Sequence, residues 1–188
     1  MSDIGRVDES TWFFRNIVKR RVTWGFVAGA VFLLFAAPTR ASVFWGFWIA
    51  LAGELVRTWA SGTIVKNREL ATHGPYALVR NPLYVGSFLI GLGVAVMGGR
   101  WWFPVLFLAL FVPVYRTLVL KEEKRLLELY GDTFREYCRR VPRFVPRSLP
   151  WPPPSAPYDA QRMWRKHREW QAWLGLYAVT LFLLLRAR

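Results

Sequence analysis

Long apolar runs separated by short basic or proline-containing breaks dominate the pattern of the chain. Few charges interrupt these runs, and their apolar residues are continuous rather than placed at amphipathic spacing, which is typical of helices in a bilayer. The pattern predicts an all-α, polytopic integral membrane protein with about five transmembrane helices. The runs lie at about 22–37, 42–61, 83–97, 101–120 and 170–185.

The last of these runs is short for a full span, so an interfacial helix is its alternative. No cleavable signal peptide is evident, and the first run is therefore expected to remain as a span. We expect a single membrane domain over 1–188. It would consist of a lead at 1–21, two spans at 22–61, a core at 63–146, and a proline-rich linker with the last helix at 147–188.

A polar and aromatic stretch at 72–86 interrupts the apolar pattern. It contains Gly74-Pro75 and Asn81-Pro82, and each proline fixes φ and disfavours helix at the residue before it. Irregular backbone near lipid is tolerated where it is buried in protein or lines a cavity. The stretch is interpreted either as the wall of a ligand site or as an ordinary interfacial loop.

The third and fourth runs are predicted to form a helical hairpin, because Gly98-Gly99-Arg100 makes a tight turn between them. Glycines in the third run, Gly86 and Gly93 among them, would permit close helix approach. Beyond Lys121 the fourth run continues as a charged amphipathic helix. Gly131 is expected to end that helix before a short one at 133–140 that Asp132 caps.

The net charge of +14 follows the ends of the apolar runs. Lysine and arginine are abundant in the lead, in the loop before the third run and after the fourth run, whereas the other two turns carry only Arg40 and Arg100. By the positive-inside rule the basic regions are predicted to be cytosolic. No basic recognition helix stands apart from the membrane segments, so nucleic-acid binding is not predicted.

Several kinds of chemistry find no support in the sequence. Cys138 is the single cysteine, which excludes an internal disulfide, and it is expected to be inert. Two histidines without clustered thiols do not favour a metal site. No catalytic triad with recognisable context, phosphate loop or dinucleotide fingerprint occurs.

Glu54 and Arg57 lie three residues apart within the second run and so share one helical face. Ionisable groups inside a span are costly and usually face the protein interior. The pair is either functional or, as we favour, a buried ion pair that holds helices in register.

Two polar segments are predicted to meet at the cytosolic end of the hairpin. Carboxylates there could bind an ammonium group or ribose hydroxyls, tyrosines could pack on a purine, and arginines could pair with a carboxylate or phosphate. The first segment offers His73, Tyr76, Arg80, Asn81 and Tyr84, and the second offers Glu122, Glu123, Tyr130, Tyr137, Arg139, Arg140 and Arg143.

At these residues the sequence resembles the isoprenylcysteine carboxyl methyltransferases and their phospholipid methyltransferase relatives. The resemblance covers about 63–146 and depends on two blocks in order and at this spacing. The first block is Gly74-Pro75-Tyr76 with Arg80-Asn81-Pro82-Leu83-Tyr84-Val85-Gly86. The second is Glu122-Glu123, Leu126 or Leu127, Tyr130-Gly131, Phe134, Tyr137 and Val141-Pro142-Arg143-Phe144-Val145-Pro146.

The resemblance implies an integral membrane methyltransferase that uses S-adenosylmethionine without a Rossmann domain. The cofactor would enter from the cytosol and a lipid or lipidated acceptor from the bilayer, in the cytoplasmic membrane of a bacterium or archaeon. The implied catalytic residues are Arg143, Glu122 and Glu123. The implied cofactor contacts are His73, Gly74, Tyr76, Arg80, Asn81, Pro82, Tyr84, Tyr137 and Glu122 or Glu123.

The acceptor is the open question. The carboxyl methyltransferases usually have histidine where this chain has Asn81, and asparagine cannot titrate near neutral pH. A carboxylate acceptor needs no base and could be held by Arg143, whereas an amine must lose a proton, to Glu122 or Glu123 for example. Carboxyl methylation is expected. Amine or phospholipid N-methylation, or a non-enzymatic scaffold or transport role, is the alternative.

Overall fold

The computed structural model of the chain describes residues 21–63, 70–147, 158–161, 163–164 and 169–188, with backbone only for 21 and 22. The predicted lead at 1–20 and most of the proline-rich linker lie outside the described residues. The described part contains helices and no strand, which confirms the all-α prediction. The helices are α1 (Arg21–Phe35), α2 (Arg40–Thr63), α3 (Pro75–Leu78), α4 (Pro82–Met97), α5 (Trp102–Arg140) and α6 (Trp170–Arg186).

Glycines bring α2 and α4 into close contact. A Cβ atom on Gly53 of α2 would lie 2.6 Å from the carbonyl oxygen of Gly86 on α4, and one on Gly93 would lie 2.5 Å from that of Gly46. Real side chains do not approach backbone so closely. The predicted close approach at Gly86 and Gly93 is therefore confirmed, with α2 as the neighbouring helix.

The turn after α1 and the turn after α4 lie at the same end of the bundle. The amide of Ala37 donates to the carbonyl oxygen of Gly98 at 3.0 Å, and the amide of Arg188 donates to that of Pro38 at 3.3 Å. Gly99 has φ +71°, a conformation that favours glycine and closes the predicted tight turn of the α4–α5 hairpin. The opposite end therefore carries α3, the start of α4 and the charged half of α5.

Gly131 breaks the long α5 helix as predicted. Its φ of 51° and ψ of −122° are non-helical, and helical backbone continues on both sides of it. By length and composition, α5 is the one described helix long and apolar enough to cross a membrane. α2 has 24 residues, but Glu54 and Arg57 reduce its apolar character, and the apolar stretches of α1, α4 and α6 are shorter.

The last helix packs lengthwise against the bundle. Glu169, at the N-terminal end of α6, contacts α2 at Arg57, while the C-terminal residue Arg188 reaches the α1–α2 turn. Leu176 and Leu183 of α6 are buried in the main apolar core. α6 is thus a member of the helical bundle and runs antiparallel to α2.

Arg57 forms a partly buried ion pair, but with a different partner from the one predicted. Its Nε and Nη2 atoms donate to the Glu169 carboxylate at 3.1–3.3 Å, and Nη1 donates to Ser87 Oγ at 2.7 Å. Glu54 is fully buried, and its oxygens accept no hydrogen bond from the described residues. The expectation that Arg57 joins helices is confirmed, whereas pairing with Glu54 is wrong.

Candidate functional site

Glu123 is the centre of a buried polar cluster at the end of the bundle opposite the two turns. Its side chain is 1% exposed. Arg143 donates to it from Nη2 at 2.7 Å and from Nε at 3.1 and 3.2 Å. Arg80 Nη1 lies 3.3 Å from Glu123 Oε1, and Asn81 Nδ2 donates to the same oxygen at 3.4 Å. The two polar segments that were predicted to converge therefore meet at this carboxylate.

Backbone breaks on both sides of the cluster set the positions of its side chains. Pro82 begins α4, where its missing N–H costs no helical hydrogen bond, so Arg80 and Asn81 stand just before the helix. α5 ends at Arg140, and Val141 after it has extended backbone, which turns the following residues back towards α4. The Arg80 amide then donates to the Pro142 carbonyl oxygen at 2.9 Å. This backbone bond holds the two polar segments against each other.

The short helix α3 covers the cluster from the side of α2. Gly74 precedes it with φ 58°, and a Cβ there would meet Thr63 Cγ2 at 3.1 Å, so glycine suits both the backbone and the space. Tyr137 of α5 donates from its hydroxyl to the Tyr76 carbonyl oxygen at 2.6 Å. Burial raises the pKa of Tyr137, with Arg80 acting in the opposite direction, so the hydroxyl stays protonated and donates.

Two buried donor groups in this region lack a hydrogen-bond partner among the described residues: the Tyr76 hydroxyl and Arg80 Nε. Buried polar groups are nearly always paired because leaving one unpaired costs free energy. Burial also raises the pKa of Tyr76, with Tyr137 and Glu122 acting in the same direction, which keeps the phenol neutral. Two such donors beside one carboxylate cluster are suited to a polar ligand.

The two adjacent glutamates differ in environment. Consecutive helical residues point about 100° apart, so they cannot both face the interior. Glu123 is buried against the arginines, whereas Glu122 is half-buried and close enough to Tyr76 to act on its hydroxyl electrostatically. Glu122 is therefore the more exposed of the two carboxylates.

The other predicted cofactor contacts lie around this cluster at different depths. Pro82 is fully buried. Tyr84 is half-buried and meets Tyr115 of α5 edge-on, with ring centroids 5.5 Å apart. The His73 side chain is exposed, with Nδ1 3.4 Å from Thr72 Oγ1, and within the described residues it makes no hydrogen bond or ion pair to the cluster.

Cys138 contacts the cluster, which the sequence interpretation as inert did not foresee. Arg80 Nη1 donates to its sulfur at 2.7 Å. Burial raises the pKa of the thiol, and Arg80 opposes this shift. Its place directly after Tyr137 in the second block was the only sequence signal for this position.

Arg139 and Arg140 lie on the outer face of α5, away from Glu123. Both are exposed and pair with Glu136, Arg139 Nη1 at 3.0 Å and Arg140 Nε at 2.9 Å. Hydrogen bonds from Arg140 and then Arg139 lower the pKa of Glu136. Of the three arginines in the second segment, Arg143 alone joins the cluster.

A small apolar core supports the site from the side of α5. It is separate from the main core of the bundle and anchors the end of α5 on which the cluster is built. Tyr130 packs there as a half-buried ring, which is a structural role. The residues are Phe134, Tyr137 and Val141, with Leu70, Leu126, Leu127, Tyr130 and Cys138 around them.

Comparison with known proteins relates the chain to membrane methyltransferases. It is 33% identical over 81 residues to the protein-S-isoprenylcysteine O-methyltransferase of Schizosaccharomyces pombe (43% of this chain, 34% of the relative). It is 27% identical over 130 residues to the human protein of that name (68% and 43%). It is 37% identical over 82 residues to the cobalt-zinc-cadmium resistance protein CzcN of Cupriavidus metallidurans (44% and 38%).

The chain thus matches less than half of the length of these curated relatives. No solved structure matches it. The family model described as phospholipid methyltransferase matches residues 24–133, which is more than half of the chain and includes both Arg80-Asn81 and Glu123. The chain therefore belongs to the phospholipid methyltransferase family, in its isoprenylcysteine methyltransferase-like branch.

Proposed function

We propose that this chain is an integral membrane methyltransferase that uses S-adenosylmethionine and methylates a lipid or lipidated acceptor, with a carboxylate as the group methylated. The observation that carries the proposal is a pair of buried donors, Tyr76 Oη and Arg80 Nε, which have no partner among the described residues and lie beside Glu122 and Glu123. The similarity to relatives named protein-S-isoprenylcysteine O-methyltransferase supports a carboxylate as the methylated group.

The residues present fit this cofactor. Its amino acid and ribose parts need both donors and acceptors, which Tyr76, Arg80 and half-buried Glu122 offer. When bound, S-adenosylmethionine supplies a methyl group already activated by a positively charged sulfur. His73, Gly74, Pro82 and Tyr84 would complete the walls, as the family resemblance implies. Tyr137 would act indirectly, because its hydroxyl holds the backbone of Tyr76.

Glu123 would position arginines rather than take a proton. Both of its oxygens accept hydrogen bonds from the Arg143 guanidinium, and Arg80 Nη1 forms an ion pair with Oε1. Because this one carboxylate faces two guanidinium groups, the cluster keeps a net positive charge. That charge would attract an acceptor carboxylate, which is ionised at neutral pH and needs no base. The chain would then contribute alignment of the acceptor and exclusion of water.

An amine acceptor is the second candidate. The family model described as phospholipid methyltransferase favours it, as does Asn81 in place of the more usual histidine. In that case Glu122 would be the carboxylate available to accept a proton, because Glu123 is engaged by arginines. A non-enzymatic scaffold or transport role has no comparable support, and it predicts no dependence on the cofactor.

The proposal includes a membrane orientation in which α1, α2, α4, α5 and α6 cross the bilayer and the Glu123 cluster faces the cytosol. The opposite end carries four arginines, Arg40, Arg100, Arg186 and Arg188, whereas Lys121 and a larger number of arginines and lysines lie at the end with the cluster. Labelling of single cysteines introduced at Arg100 and Glu128, in a Cys138→Ser background, would test it in sealed cytoplasmic membrane vesicles of known sidedness.

Methyl transfer itself is tested with radiolabelled S-adenosylmethionine and a membrane lipid extract, using the purified full chain. We expect label in the organic phase that is released by mild base, because a methyl ester is base-labile and a methylated amine is not. Base-stable label would support the amine acceptor instead. No incorporation with any extract or with prenylated cysteine analogues would contradict the proposal.

A further inference from the structure

An open cavity lies between helices α2, α4, α5 and α6, apart from the Glu123 cluster. Its volume of about 400 Å³ lies in the range of small-molecule sites. Apolar and aromatic side chains form most of its wall, and one end is polar. Ile90, Phe107, Phe111 and Tyr115 contribute to the apolar wall, and Arg57 and Ser87 form the polar end.

The polar end offers N–H donors without net positive charge. Arg57 is 28% exposed, and its charge is balanced by Glu169, which is 3% exposed and accepts from both Nε and Nη2. Glu54 interacts electrostatically with both residues and can only add negative charge. Nη1 carries two protons, and Ser87 accepts one of them, so at least one N–H can reach a ligand.

We infer that this cavity binds an amphiphile whose chain packs on the aromatic wall and whose uncharged oxygen, in an ester, carbonyl or hydroxyl group, accepts a hydrogen bond from Arg57. An anionic headgroup would be repelled by Glu169, which already occupies the guanidinium. A cationic headgroup would meet the Arg57 guanidinium, because Arg57 lines the cavity and Glu54 and Glu169 do not. A neutral acceptor is the chemistry that suits a paired arginine in a low-dielectric site.

The cavity is placed to hold a distant part of the same molecule that is methylated. Ser87 follows Asn81 by six residues on α4, a rise of about 9 Å along the helix. Tyr115 lines the cavity and contacts Tyr84, one turn of helix from Asn81. The inference that the cavity holds the methyl acceptor rests on the proposed methyl transfer, whereas the inference that it binds uncharged amphiphiles does not.

Native mass spectrometry of the detergent-solubilised full chain would measure binding of three probes with matched chains: monopalmitoylglycerol, palmitate and hexadecyltrimethylammonium. We expect the uncharged probe to bind at least about tenfold more tightly than either charged one. Ser87→Phe fills the cavity and should weaken that binding by about tenfold or more. Ile90→Trp fills it from another wall and replaces Ser87→Phe if that variant does not fold.

The effect of Glu169 on which of the three probes binds best is a sharper test than filling the cavity. Glu169→Gln keeps a hydrogen-bond acceptor but leaves Arg57 positive, so the preference should move towards palmitate by about tenfold or more. Glu136→Gln, on the exposed face of α5, is the matched control and should leave all three affinities unchanged.

Binding of S-adenosylhomocysteine, the demethylated cofactor product, is measured in parallel. A protein that does not use the cofactor and a cavity that does not bind uncharged amphiphiles then give different results. The inference is overturned if a charged probe binds best, if the filled variants bind as the parent does, or if Glu169→Gln leaves the preference unchanged.

Discussion

Arg143 Nη2 donates to Glu123 Oε2 across 2.7 Å, which ties the segment after α5 to a carboxylate inside α5. The same carboxylate forms an ion pair with Arg80, which lies in the loop before α4. Removing one partner from a buried ion pair leaves an uncompensated charge, which costs more than the pair itself contributes. Glu123 therefore determines the geometry of the whole candidate site.

Replacing Glu123 by glutamine should have a large effect on both fold and activity. Arg80 loses the charge that balances it, so we expect the free energy of unfolding to fall by about 2–3 kcal/mol. Methyl transfer should fall by about a hundredfold or more, because Arg143 is no longer held. Thermal melting and initial rates check this, with exposed Glu136→Gln as the control. Near-parental rates for Glu123→Gln would show that the cluster has no part in the reaction.

Tyr76→Phe separates a ligand role from a structural one. The hydroxyl has no partner among the described residues, so its removal should leave the melting temperature unchanged or slightly raised. Affinity for the demethylated cofactor product should fall by about tenfold, the value of one hydrogen bond. Tyr130→Phe, in the small apolar core, is the matched control. Equal affinities for Tyr76→Phe and the parent would remove Tyr76 from the site.

Cys138 should react slowly with alkylating reagents. Burial raises the pKa of its thiol, so less of the reactive thiolate is present at pH 8 than in the unfolded chain. The alkylation rate should rise with pH through this raised pKa, and the cofactor product should slow it further because Arg80 links Cys138 to the site. Mass spectrometry of iodoacetamide adducts measures the rate. A rate equal to that of the denatured chain would contradict the observed burial.

The close contact of α2 and α4 should not tolerate a larger residue at Gly53. A Cβ there would lie 2.6 Å from the Gly86 carbonyl oxygen and 2.7 Å from the Ile90 amide. We expect Gly53→Val to lower the free energy of unfolding by about 3 kcal/mol or to prevent folding. Gly175→Ala in α6, where a Cβ meets nothing within 4 Å, is the control and should be neutral or stabilising. A well-folded Gly53→Val protein would contradict the helix packing.

Local features of the sequence predicted much of the fold. The break at Gly131, the α4–α5 hairpin and the glycine contacts of α4 follow from backbone preferences and from the absence of a side chain. The meeting of Arg80 and Asn81 with Glu123 and Arg143 was predicted from the family resemblance and the common side of their segments. Because consecutive helical residues point in different directions, Glu123 is buried in the cluster whereas Glu122 is half-buried.

Long-range pairs could not be predicted in this way. Glu169 lies 112 residues after Arg57, and nothing near either residue indicates that α6 returns along α2. Glu54, three residues away, was the obvious partner by spacing alone. The contact of Cys138 with Arg80 likewise depends on the tertiary approach of α5 to the loop before α4. Such partners are determined by helix packing, which periodicity does not specify.

Calorimetric titration of S-adenosylhomocysteine into the detergent-solubilised full chain tests the central claim most directly. We predict one saturable site per chain, with affinity that falls by about tenfold in Tyr76→Phe and is unchanged in Tyr130→Phe. The absence of binding at millimolar concentration in a folded parent protein would contradict the account.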